Sequence, residues 1–84
     1  MRLPIIKHLV NGPFDEDFFD ETIMVLERLI DAPTVKDEEL DVIGELMSNI
    51  EGAKAVMTDM RVNKTPEKEA LNTFMKRVLG SIDK

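Results

Sequence analysis

Residues 37–62 read DEELDVIGELMSNIEGAKAVMTDMRV, and this stretch decides the fold. Ile43, Leu46, Met47, Ile50, Ala53, Met57 and Met60 form an apolar seam with the steps of three and four that mark one face of a helix. The seam covers about two and a half heptads, too few for a coiled coil. Thr34 or Asp37 is the expected cap, Glu38 and Glu39 load the first turn, and Asn63 is placed to close the helix in the left-handed conformation. At 1.5 Å per residue the helix spans about 39 Å. Gly44, Ser48, Gly52 and Ala55 line a narrow strip roughly opposite the seam. Each glycine in a helix interior costs up to about 1 kcal/mol relative to alanine. The strip therefore predicts close approach of another helix, from this chain or from a symmetric partner. Tolerance, or a bend at Gly52, is the alternative.

The segments on either side are shorter helices. Over residues 15–31, Phe18, Phe19, Ile23, Leu26, Leu29 and Ile30 fall in one band, with Asp17, Asp20, Glu21, Glu27, Arg28 and Asp31 outside it. Asp15 is the expected N-cap, and Phe14 and Phe19 have the spacing of a hydrophobic staple. Pro33 ends the element. Over residues 66–79, Thr65 caps, Pro66 opens, and Ala70, Leu71, Phe74, Met75, Val78 and Leu79 form the buried stripe. Gly80 is the expected stop. Residues 3–10 fit a short helix, with Pro4 early and Asn11-Gly12-Pro13 as its end, or a short strand; the helix is favoured because no other segment offers a strand partner.

The chain has 84 residues, 43% hydrophobic and 33% charged, which is one small ordered domain. It has no cysteine, which excludes disulfides and cysteine-ligated zinc and fits a reducing cytoplasm. No apolar run exceeds four residues, so no membrane span is expected. The net charge of -6 is uneven: residues 14–62 are acidic, while residues 1–13 and 63–84 each carry +2. An acidic middle disfavours nucleic-acid binding. Basic ends near an acidic middle suggest pairing within the chain or across a dimer.

No catalytic, cofactor or metal constellation emerges. The cluster Asp15, Glu16, Asp17, Asp20 and Glu21 fails as a calcium loop, because Phe19 and Asp20 stand where an oxygen ligand and a glycine are required. His8 is the only histidine, so a Glu-x-x-His di-iron pair is absent. Ser48 and Ser81 have no histidine nearby in sequence, and no glycine-rich phosphate loop is present. Met24 points away from the stripe of its helix, while Met47, Met57, Met60 and Met75 sit on core-facing stripes.

Residues 36–46 (KDEELDVIGEL), 68–72 (KEALN) and 74–83 (FMKRVLGSID) resemble a small family of uncharacterised bacterial proteins, a domain of unknown function. The opening Leu3-Pro4-x-Ile6-Lys7-His8-Leu9 looks like that family's start. The resemblance carries over no catalytic or binding residue. It implies a thiol-redox or stress setting, in which a chain without cysteine is an accessory and not the thiol catalyst.

The expected architecture is all-α: one domain over residues 1–84, an antiparallel bundle of three main helices with a short N-terminal helix completing the core. The expected assembly is a homodimer through the long helix, with Gly44, Ser48, Gly52 and Ala55 as its packing strip. The expected function is a non-enzymatic interaction module or adaptor without a cofactor. A small enzyme or ligand binder whose site forms at an oligomer interface is the other reading.

Overall fold

The computed structural model describes residues 2–82, in four helices: α1 (Leu3–Val10), α2 (Glu16–Ile30), α3 (Asp37–Asn63) and α4 (Glu67–Ile82). The described residues contain no strand. Among them no helix is long and apolar enough to cross a membrane.

The helix ends follow local chemistry. α1 is helical because its apolar residues sit at helical spacing: Ile6 is fully buried, and Leu3, Leu9 and Val10 pack beside it. Pro4 costs it nothing, since the amides of a first turn have no intrahelical acceptor. In α2 the Asp15 carboxylate accepts from the Phe18 amide at 3.0 Å, and the Phe14 and Phe19 rings stand 6.0 Å apart as the staple requires.

Three ends depart from the sequence reading. α3 is preceded by Lys36, not capped by Thr34 or Asp37; lysine has no acceptor, and instead the Glu39 carboxylate accepts from the Lys36 amide at 3.0 Å. The left-handed residue after α3 is Lys64, at φ 56°, while Asn63 stays helical and donates its side-chain amide to Asp59 at 2.6 Å. The Thr65 hydroxyl donates to the same carboxylate at 3.2 Å, so Asp59 organises the turn into α4. α4 runs through Gly80 to Ile82, because glycine permits a left-handed stop but does not impose one. The side chain of Leu79 lies outside the described residues.

Helix α3 is the hub. α1, α2 and α4 all pack on it, and α1 also touches α4, while among the described residues the backbone of α2 packs closely on α3 alone. Glu16 opposite Arg61 and Asp20 opposite Lys54 set α2 antiparallel to α3. α1 runs antiparallel to α4: Asn11 meets Glu67 at one end, and Leu3 and Pro4 stand beside Leu71 and Asn72 at the other. The molecule is a flat bundle of 42 × 33 × 18 Å, about two helix layers thick.

The core is Ile6, Phe19, Ala53, Val56, Ala70 and Leu71, with every helix contributing. On α3 the buried residues are Asn49, Gly52, Ala53 and Val56. Ala53 belongs to the expected apolar seam and Gly52 to the small-residue strip, so the buried line runs between the two. Neighbours on several sides bury more than one face of α3, so its apolar residues are not confined to one stripe. Buried Asn49 is satisfied: it accepts from the Arg2 amide at 2.9 Å and donates to the Glu45 carbonyl at 3.0 Å, which ties the start of α1 to the middle of α3.

Candidate interaction surface

The structure divides the small-residue strip. A Cβ added at Gly52 would stand 2.8 Å from Ile6 Cδ1 and 3.1 Å from Phe74 Cζ. Gly52 is therefore the close-packing position, and its neighbours are α1 and α4 of the same chain. Among the described residues a Cβ at Gly44 would meet nothing within 4 Å. Ser48 and Ala55 are half-buried, and Ala55 lines an open groove with Asp20, Lys54 and Thr58.

Charges gather where α2 crosses α3. The Arg61 guanidinium donates to both Glu16 carboxylate oxygens, at 2.7 and 3.0 Å, and Lys54 Nζ lies 2.5 Å from Asp20. The Arg61 hydrogen bond holds the Glu16 carboxyl below the usual carboxylate range. Bonding to Asp20 raises Lys54, and bonding to Glu16 raises Arg61. These pairs lie within the acidic middle of the sequence. Of the clustered acids, Asp15 caps α2 and Glu16 and Asp20 pair with α3. Among the described residues no three His, Asp or Glu side chains are grouped to hold a metal ion. His8 is exposed on α1.

The largest concentration of uncovered apolar side chains is elsewhere. Phe18, Val25 and Leu29 are 52%, 62% and 45% exposed on α2, and Val42 and Leu46 are 56% and 48% exposed on α3. Phe18, Leu29 and the partly exposed Ile30 belong to the band expected to be core; of that band only Phe19 is fully buried, with Ile23 and Leu26 half-buried. At about 100° per residue, Phe18, Val25 and Leu29 make a second stripe roughly 110° from the Phe19–Ile23–Leu26 stripe. Sequence reading missed it because Phe18 and Leu29 merged with the core band and Val25 was left outside. The 4- and 7-residue intervals linking Phe18, Val25 and Leu29, through Thr22, were the available signal.

The antiparallel register makes Leu29 level with Leu46. The two charged pairs lie on the other edge of α2, so this stripe and the Val42–Leu46 row point to the same side of the α2–α3 layer. That is the side on which α1 lies. But α1 begins level with Asn49 and sits over α3 and α4. It does not reach the α2 side or the first three turns of α3, where Leu29, Val42 and Leu46 are exposed.

An α3-centred helical bundle with an uncovered two-helix shelf is the class of protein the structure defines. The chain belongs to the family of unknown function DUF6952, whose model matches residues 1–83. The match takes in every segment on which the sequence resemblance rests. No curated protein and no solved structure matches the chain.

Proposed function

We infer that this protein is a non-enzymatic protein-interaction module. The observation that carries the reading is the α2–α3 shelf, where Val25 and Leu29 of α2 and Val42 and Leu46 of α3 are exposed on one side of the layer. Contiguous exposed apolar side chains mark surfaces that associate. Catalysis would have been favoured by a deep pocket holding a buried carboxylate beside His8, Lys54 or Arg61. Instead Lys54 and Arg61 are tied to carboxylates in open grooves, and Glu16 is shifted toward the ionised form, the wrong direction for a general acid. A cytoplasmic setting fits a chain without cysteine, and any part in thiol chemistry would be as an accessory.

The test is photocrosslinking in cells of the native source, with a benzophenone amino acid at position 46 and, separately, at exposed position 68 on α4. Protein adducts formed at 46 and not at 68 are expected. No adduct at 46, or equal adducts at both, would overturn the reading.

A further inference from the structure

We propose that the occupant of the α2–α3 shelf is a second copy of this chain, in a two-fold dimer whose centre is an intermolecular bundle of two α2 and two α3 helices. The proposal rests on the interaction-module reading and names its partner.

Surface area carries the argument. A folded monomer of 9.6 kDa is expected to expose about 5,100 Å². This chain exposes 6146 Å². The excess, about 1,000 Å², is close to the roughly 800 Å² that each partner contributes to a standard interface. Shape agrees with area. The radius of gyration is 13.9 Å, against about 12 Å for a compact chain of this length. The molecule is thus extended and thin, and on one side of α2 and α3 the side chains of Val25, Leu29, Val42 and Leu46 are exposed.

The chemistry of the shelf selects the same partner. Val25, Leu29, Val42 and Leu46 are uncharged and aliphatic, so the centre of the shelf offers apolar burial and not charge pairing. A shelf of two antiparallel helices is complementary to itself: rotated by a two-fold, each aliphatic row packs into the grooves of the other copy, as in four-helix bundles. The expected homodimer along the long helix is kept, but its contact is the aliphatic edge of α2 and α3. Gly52 is taken up inside the chain.

The experiment is sedimentation equilibrium of the purified full chain from 5 to 200 µM, with Leu46→Glu, Val25→Glu and Met24→Glu. Met24 is 67% exposed on a different face of α2 and serves as the control. The expected result is twice the 9.6 kDa chain mass for wild type and Met24→Glu, and a single-chain mass for the two shelf variants. Far-UV circular dichroism shows that each variant remains helical; because both shelf positions are exposed in the single chain, neither substitution removes a core contact. A single-chain mass for wild type across the range overturns the proposal, as does a dimer that survives both shelf substitutions. A monomeric wild type that still gives position-46 adducts of unequal mass in cells would end the homodimer and leave the interaction module standing. A monomer without adducts would end both.

Discussion

The two interior glycines of α3 lie eight residues apart in one unbroken helix, yet their surroundings are opposite. Around Gly52 the helix has α1 and α4 so close that a methyl group would collide with Ile6 and Phe74. Around Gly44 none of the described residues is within reach, and Val42 and Leu46 nearby are about half exposed. One end of α3 is therefore a hub and the other a shelf. The difference comes from the neighbours' lengths. α1 is only eight residues long and starts level with Asn49, so it covers the second half of α3 and none of the first. A glycine in a helix acquires a packing role only where a neighbour arrives.

The sharpest way to break this comparison is to delete matched aliphatic groups at the two ends. Ile6→Ala at the hub is expected to cost about 2–5 kcal/mol in urea denaturation, since Ile6 is fully buried. Leu46→Ala, measured on chain dilute enough to be single, is expected to stay within about 0.5 kcal/mol. Equal losses would mean that the two ends are not different in kind.

A second test concerns the boundary between them. Asn49→Ala removes a buried side chain that accepts from the Arg2 amide in a part-buried bond and should cost about 1–3 kcal/mol. Faster hydrogen exchange at the Ile5 and Ile6 amides of α1 than at α2 amides would locate the damage at the hub.

The glycines themselves should then respond with opposite signs. Gly44→Ala gains helix propensity without a clash and is expected to stabilise by about 0.5–1 kcal/mol. Gly52→Ala gains the same propensity, but overpacking against Ile6 and Phe74 reverses it, for a net loss of about 1 kcal/mol. Thermal melts of the pair read this directly.

The smallest effect belongs to the charged edge that the hub and shelf share. Glu16 has a folded pKa below its ordinary 4.5, so its contribution is complete above that value and is lost as pH falls through the folded pKa. The stability gap between wild type and Glu16→Gln should be flat from pH 7 to 5 and close at lower pH. Because Arg61 is largely exposed, the gap should be near the limit of denaturant titration and shrink in salt.

Much of this molecule is legible in its sequence. Asp15 and the Phe14–Phe19 staple start α2 where the residues say they should, because capping is a contact among neighbours a few positions apart. The helical reading of residues 3–10 holds because Ile6, Leu9 and Val10 need a common face. The boundaries that slipped are those where two local solutions are nearly equal: Lys64 and not Asn63 takes the left-handed turn, and Gly80 remains in its helix. The strip containing Gly44, Ser48, Gly52 and Ala55 was visible as a strip, but its meaning differs at each end.

Helical periodicity, caps and the all-α class were determined by the sequence alone, because each rests on interactions within about one helical turn. Which apolar stripe is covered was decided by the tertiary structure. Phe18 and Phe19 are adjacent and chemically identical, yet one is 52% exposed and the other 3%. Burial depends on which face of α2 is turned toward α3, and that is a property of the packed chain, not of any single helix.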